Sequence, residues 1–282
     1  MGVDIFGLGL DQVLIIALAA VWAGAINTVV GSGTLVTFPV LVAMGFPPVT
    51  ATISNAMGLI AGNITGTWGY RREIAQVGGT LLRLVPVSLL GGVVGALLLL
   101  TLPEEVFETV APALIVVALF FVIFQPRLQR WVRARKAAEQ ERRTEIAVQS
   151  GEAPPPERPE VGPLLIALVF FAGVYGGYFV AAQGVLLVGI LGVFLAATLQ
   201  QANAVKNALV LTVNLTAAVS YLFLAIDRIE WIVVAIIAVG STIGGFAGAW
   251  VGRRMKPLVL RLVIVTLGVV ALVVMIRNLL GA

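Results

Sequence analysis

The sequence predicts an all-α polytopic membrane protein of two inverted-topology repeats. Each repeat has about five hydrophobic segments, with broken or re-entrant helices at the centre. Three observations predict this fold class. The 282 residues are 60% hydrophobic and 11% charged, and apolar stretches recur near the roughly 20 residues needed to cross a bilayer. Polar positions recur at a fixed spacing in the two halves. Lysines and arginines cluster in short loops between the apolar stretches.

Ten apolar segments flank a hydrophilic centre, five on each side. They fall at about 12–30, 35–46, 50–69, 78–100, 105–124, 163–182, 185–197, 201–225, 231–252 and 257–280. We therefore divide the chain into a first membrane repeat (1–124), a basic and proline-rich cytoplasmic linker (125–162) and a second membrane repeat (163–282). The start of the linker is expected to continue a helix beyond the membrane. The second and seventh segments are too short to cross the bilayer simply.

The two halves share a register of polar residues. A shift of 151 residues places "NITGTWGY" (63–70) on "NLTAAVSY" (214–221). A shift of 153 places Ser88 on Ser241, and three glycines that follow Ser88 on three that follow Ser241. The alternative explanation is that low-complexity membrane sequence matches itself by chance. The gapless register favours a true repeat.

The basic residues predict that the two repeats cross the membrane in opposite directions. Cytoplasmic loops carry an excess of Lys and Arg, so Arg71-Arg72, the central linker and the group Arg253-Arg254 with Lys256 are expected inside. The acidic loop 101–108 is expected outside. Equivalent loops then lie on opposite sides, as in secondary transporters. The N-terminus and the C-terminus are both expected outside, in the inner membrane of a bacterium.

Missing residue types narrow the chemistry. The chain has no cysteine and no histidine, which removes thiol nucleophiles, the commonest metal ligand and the commonest general base. No acidic residue falls clearly inside a segment, so proton coupling through a buried carboxylate has no obvious carrier. No nucleotide or zinc motif is found. We expect no enzyme activity, no cofactor, no metal and, because topology explains the basic loops, no nucleic acid partner.

Gly31-Ser32-Gly33-Thr34 interrupts the hydrophobic sequence at membrane depth. Backbone N–H and C=O groups cannot face lipid unpaired, so they must be buried in protein or line a cavity. The matching place in the second half contains Gln183-Gly184, and paired breaks are the best sequence pointer to a midplane site. A helix that starts at Thr34 or Val185 presents N–H groups that suit an anion. A glycine-packed kink without a ligand is the alternative.

The stretch 199–214 places a lysine among amides. Lys206 lies beside a polar helical face whose members are Gln200, Asn203, Asn207 and Asn214. An ammonium inside a span is costly and needs a partner or a wet cavity. With amides around it, Lys206 fits an oxyanion with several acceptor oxygens. The alternatives are that Lys206 snorkels to the interface or holds a helix C-terminus.

At these residues the sequence resembles the TauE/SafE sulfite exporter family of small bacterial permeases. The resemblance rests on "AGAINTVVGSGTLVTFPVLVAMGFPPVTATISNAMG" (23–58) and "AGVYGGYFVAAQGVLLVGILGVFLAATLQQANAVKN" (172–207). The chain departs from the family pattern at Ser32, Ala182 and Gln183, where glycine is usual. The resemblance implies transport of a sulfur oxyanion or organosulfonate, such as sulfite or sulfoacetate.

The resemblance and the polar face of 199–214 together predict the substrate-binding residues. These are Asn27, Gly31, Ser32, Gly33, Thr34, Ser54, Asn55, Gln183, Gly184, Asn203, Lys206 and Asn207. The expected function is secondary transport of the anion by alternating access within the lipid bilayer. An anion channel or uniporter with the same site and a non-transporting membrane assembly subunit are the alternatives. The coupling ion and the oligomeric state, including a homodimer, are left open.

Overall fold

The computed structural model describes most of both halves. The described residues are 4–5, 8–29, 31–150, 161–195, 197–251, 262, 265, 266, 268–270, 272, 273 and 275–277. The predicted cytoplasmic group Arg253-Arg254 with Lys256 lies outside the described residues, as does the proline-rich run at 153–160.

Helices account for nearly all of the described chain. They are α1 (Leu10–Val29), α2 (Thr34–Ala43), α3 (Pro48–Gly69), α4 (Arg71–Gln76), α5 (Gly78–Thr101), α6 (Glu104–Ser150), α7 (Pro163–Phe179), α8 (Gln183–Phe194), α9 (Leu199–Leu224) and α10 (Trp231–Val251). A 3-10 turn (Ile226–Arg228) joins α9 to α10. Two strands of two residues each, β1 (Asp4–Ile5) and β2 (Leu8–Gly9), pair antiparallel before α1. Apart from this short pair, the all-α prediction is confirmed.

Several helices are long and apolar enough to cross a membrane. In the described part of the chain these spans are Leu10–Thr28, Gly78–Thr101, Glu104–Phe124, Gln200–Leu224 and Trp231–Gly248. α2, α7 and α8 are apolar but shorter. α3 has 22 residues and buries Asn55 and Asn63. The chain is therefore a polytopic helical membrane protein. α6 continues to Ser150, so the segment assigned to the linker begins as a helix.

Local sequence explains where the two central helices, α3 and α9, begin. Gly45 has φ of +90°, a left-handed conformation that lets the chain leave α2. Pro48 then takes the first helical position of α3, where the missing N–H of proline costs nothing. α9 starts with a capping box, in which Thr198 and Gln201 each bond to the backbone of the other at 3.2 and 2.9 Å.

Helix packing follows the correspondence seen in the sequence. α1 packs along α10, and its equivalent α7 packs along α5; α3 lies against α10 as α9 lies against α5. Two buried serines repeat the relation: Ser241 Oγ donates to Gly58 O at 3.1 Å, and Ser88 Oγ donates to Leu209 O at 3.5 Å. The two bonds match under the shifts of 153 and 151 residues. They favour a true repeat, while the opposite orientation of the halves stays a prediction.

Glycines let the long helices pack backbone to backbone. A methyl group on Gly244 of α10 would lie 2.8 Å from the carbonyl carbon of Val21 in α1. In the equivalent contact of α5 with α7, a methyl group on Gly95 would lie 2.7 Å from the Tyr178 nitrogen. Small residues allow such close contacts between membrane helices, where burial from water supplies no driving force. These contacts hold each half to the other.

Gly244→Ala is expected to destabilise the protein by about 1–3 kcal/mol, because the added methyl group overpacks against the α1 backbone. Gly79→Ala in α5 is the matched control: nothing lies within 4 Å of a methyl group there, and alanine is the better helix former. Thermal unfolding of the purified proteins in one detergent measures both effects. An unchanged Tm for Gly244→Ala would contradict the close contact of α1 with α10.

Candidate functional site

The first break separates α1 from α2 at Gly31-Ser32-Gly33. Gly31 has φ of +88°, a conformation that residues with a side chain rarely adopt. Its N–H donates to Ile26 O at 3.2 Å. The Gly33 N–H donates to Oδ1 of Asn27 at 3.4 Å, so a side chain of α1 caps the start of the next helix. α2 begins at Thr34, as predicted.

The second break separates α7 from α8 and has no glycine at its left-handed positions. Val180 and Ala182 have φ of +65° and +57°, which is strained for residues that carry a Cβ. α8 begins at Gln183, two residues before the predicted Val185, and within the described part of the chain no side chain caps it. The first N–H groups of α8 therefore lack the side-chain acceptor that α2 has.

The two breaks contact each other through their backbones. A methyl group on Gly31 would lie 2.6 Å from the Cα of Gly184, and one on Gly184 would lie 2.5 Å from the Cα of Gly31. Neither glycine can carry a side chain unless the other break moves. The same methyl position on Gly31 is 3.2 Å from Cδ of Lys206. The lysine stem thus lies beside the junction of the breaks.

Lys206 is fully buried in α9. Its Nζ donates to the backbone oxygen of Asn27 at 3.3 Å, in the last turn of α1. This end of a helix carries unpaired carbonyl groups and the negative end of the dipole, so it favours a cation. The partner is a neutral carbonyl, and no Asp or Glu is among the buried residues that the structure describes. Lys206 therefore holds a helix C-terminus and also brings an uncompensated positive charge to the two breaks.

Asn27 connects four helices. Its backbone oxygen accepts from Lys206 of α9, and its Oδ1 accepts from Gly33 at the start of α2. Its Nδ2 donates to Oδ1 of Asn63 in α3. Asn63 is absent from the predicted site residues. The signal that points to it is its alignment with Asn214, which belongs to the polar face of α9.

Buried polar groups near the breaks and on α3 and α9 outnumber their partners. Among the described residues, unpaired NH₂ groups belong to Asn55, Asn63, Gln183 and Asn207, and unpaired oxygens belong to Ser32, Thr67, Tyr178, Gln183 and Asn214. A buried polar group without a partner costs about 1–3 kcal/mol, so each one needs an explanation. Most of these unpaired groups can donate a hydrogen bond. A ligand rich in acceptor oxygens satisfies more of them than a cation does.

Some predicted site residues pair away from the junction of the breaks. Oδ1 of Asn55 accepts from the hydroxyl of Thr37 in α2, and Oγ of Ser54 accepts from the Glu230 N–H at 3.0 Å. Thr37 is a partner that the sequence did not single out, because nothing in the pattern shows which face of α2 meets α3. Asn203 is half-buried near the start of α9.

The remaining predicted residues are buried at the starts of the short helices or on α9. Ser32, Thr34 and Gln183 are nearly inaccessible, and Asn207 is 7% exposed. Contacts and hydrogen bonds bring together five of the predicted residues, and these are Asn27, Gly31, Gly33, Gly184 and Lys206. This group and Asn63 form what we call the junction site.

Helices that break inside a bundle of membrane-spanning helices, with a buried lysine where the breaks meet, are typical of multi-pass membrane permeases. The chain belongs to the sulfite exporter TauE/SafE family, whose model matches residues 16–275. The match spans both halves and confirms the resemblance carried by the two break motifs.

Curated relatives carry transporter names. A probable membrane transporter protein of Haemophilus influenzae is 24% identical over 261 residues, which cover 92% of each chain. The probable membrane transporter protein YfcA of Escherichia coli K12 is 27% identical over 123 residues, 43% of this chain and 45% of YfcA. The probable membrane transporter protein ORF9 of Sinorhizobium sp. is 30% identical over 105 residues, 37% of this chain and 40% of ORF9. No solved structure matches the chain significantly.

Asn27→Ala is expected to destabilise the protein by at least about 2 kcal/mol, because it leaves the Gly33 N–H and the Asn63 side chain buried without their partner. Thr212→Val is the matched control, since among the described residues the Thr212 hydroxyl bonds only within its own helix, to Ala208 O at 2.9 Å. Chemical denaturation in detergent measures both variants. Equal stability of the two would remove Asn27 from the centre of the hydrogen-bond network.

Proposed function

We propose that the protein is a secondary transporter that moves a sulfur-containing anion across the bacterial inner membrane by alternating access. The anion is sulfite, sulfoacetate or a related organosulfonate. The observation that carries the proposal is the buried Lys206 ammonium at the contact of the two helix breaks. Membership of the sulfite exporter family supports the anion class. The transporter names of the relatives support transport rather than catalysis.

An oxyanion matches the chemistry of the junction site. Its charge compensates the ammonium, which is costly when it is buried alone. Only one of the three N–H donors of Lys206 is used by Asn27. The oxygens of a sulfite or sulfonate group accept from the other two and from the unpaired amides nearby. The N-terminal ends of α2 and α8 add partial positive charge. No step of this chemistry needs a cofactor or a metal.

Contacts at the two ends of α9 support alternating access. At one end Gln201 Nε2 donates to Gln76 Oε1 at 3.1 Å. Beyond the other end, Arg228 pairs with Glu104 at 3.1 Å. Each contact joins the first half to the second, and the 26 residues of α9 separate them by about 39 Å. In inverted repeats, the two ends lie on opposite sides of the membrane and open in turn.

The predicted sidedness places the Glu104–Arg228 end outside and the Gln76–Gln201 end inside. The N-terminus and C-terminus then lie outside, and the extension of α6 lies in the cytoplasm. A channel with the same site has no alternating gates, and an assembly subunit has no flux. Saturable uptake that is accelerated by substrate on the opposite side separates the transporter from both.

Lys206→Gln is expected to abolish saturable uptake of labelled sulfite and sulfoacetate into liposomes, because it removes the charge that binds the anion. Arg83→Gln is the matched control: it makes the same substitution of a cation on an exposed position of α5 and is expected to keep wild-type uptake. Size-exclusion chromatography checks that both variants are folded. Wild-type uptake by Lys206→Gln would reduce Lys206 to its structural bond with Asn27.

Cross-links across either end of α9 are expected to stop uptake, because alternating access needs both ends to open. The chain has no cysteine, so the pairs Gln76→Cys with Gln201→Cys and Glu104→Cys with Arg228→Cys introduce the only thiols. Each pair is treated with a short bifunctional thiol reagent, and each single variant serves as its control. Full uptake after complete cross-linking of both pairs would contradict alternating access and favour a channel.

A further inference from the structure

The two short helices do not offer equal N-termini to a ligand. At α2, the Gly33 N–H already donates to the Asn27 side chain. At α8, no side chain of the described residues accepts a hydrogen bond from the first turn, which follows the left-handed residue Ala182. The difference between the two helix starts arises from the residues around them. The N–H groups at the start of α8 therefore lack the side-chain acceptor that the start of α2 has.

Gln183 is the first residue of α8 and has an amide without partners. The side chain is 1% exposed, and among the described residues neither Oε1 nor Nε2 has a hydrogen-bond partner. A methyl group on Gly176 would lie 2.6 Å from Nε2, so the absence of a side chain on α7 makes room for the amide. The equivalent residue in the first half is the much smaller Ser32.

Gln183 directly precedes a residue of the junction site, and its amide packs against Gly176 of α7. Gly184 follows Gln183 directly and touches Gly31, beside the stem of Lys206. A group bound at the Gly184 N–H therefore lies near the stem of Lys206 as well. Attraction of the anion's charge does not explain why an amide stands at this position, because a neutral amide adds little to that attraction. Its two unpaired atoms are of opposite kinds, a donor and an acceptor.

We infer that Gln183, at the edge of the junction site, determines specificity by selecting sulfonates that also carry a hydrogen-bond donor, such as a hydroxyl group near the sulfonate. Nε2 donates to a sulfonate oxygen, and Oε1 accepts from the donor of the ligand. An anion with acceptors alone leaves the buried Oε1 unpaired, and sites of this kind reject the analogue that lacks the matching group. The inference rests on the proposed function and narrows its substrate class.

Two sulfonates that differ by one hydroxyl group test the inference. Initial rates of uptake of ethanesulfonate and 2-hydroxyethanesulfonate are measured in liposomes with the wild type and Gln183→Met, which keeps the length of the side chain. The wild type is expected to show a KM about tenfold lower for the hydroxylated sulfonate, as the loss of one hydrogen bond predicts. Gln183→Met is expected to bring the ratio of the two KM values near one.

Thr242→Val is the matched control, because the Thr242 hydroxyl bonds to Ala238 O of its own helix at 2.7 Å and to no other group in the described part of the chain. It should keep the wild-type ratio. Gln183→Gly, which restores the residue usual in the family, is the second variant if Gln183→Met does not fold. The ratio of the two KM values in the wild type is a test that needs no variant. A wild-type ratio near one overturns the inference by itself.

The outcomes separate the inference from the proposed function. Equal uptake of the two sulfonates, or a preference that survives Gln183→Met, overturns the role of Gln183 and leaves sulfonate transport in place. Uptake of sulfite without uptake of either sulfonate also overturns the inference while the transporter remains. Uptake of none of the three anions overturns the proposed function, and the inference falls with it. A preference lost only in the Gln183 variants supports both.

Discussion

The protein depends on one constraint: hydrocarbon offers no partner to a backbone N–H or C=O group. Two helices break at membrane depth, so each break must be covered by protein. The two breaks largely cover each other, since Gly31 touches Gly184 with no room for a side chain. α3 and α9 lie at the centre of this arrangement. The close glycine contacts of α1 with α10 and of α5 with α7 hold the two halves around it.

Burial of a lysine then sets the chemistry. The Lys206 ammonium donates a hydrogen bond to the backbone oxygen of Asn27, at the end of α1. No Asp or Glu among the buried residues that the structure describes compensates its charge. Asn27 ties the same carbonyl to α2 and α3. The unpaired amides nearby lower stability, and proteins keep such costs mainly at functional sites. A ligand that pairs these groups recovers that cost on binding.

Hydropathy predicted the helices well, since length and apolar content are properties of each segment. α2 begins at the predicted Thr34, whereas α8 begins at Gln183 rather than Val185. The error arose because the turn at Ala182 uses a left-handed conformation without glycine, which no local pattern signals. The predicted repeat rests on polar residues that keep their spacing in the two halves. Its packing counterpart, the pair of serine bonds, follows the same shifts.

The sequence by itself determined that the chain is a helical membrane protein and that its apolar stretches are interrupted near 31–34 and 183–184, because these depend on local composition. The tertiary structure decided which polar residues meet. Lys206 bonds to Asn27 across 179 positions of the chain, while Ser54 and Asn55 turn to Glu230 and Thr37. Such pairings depend on how whole helix faces pack, and residue spacing within one helix carries no information about the face that it meets.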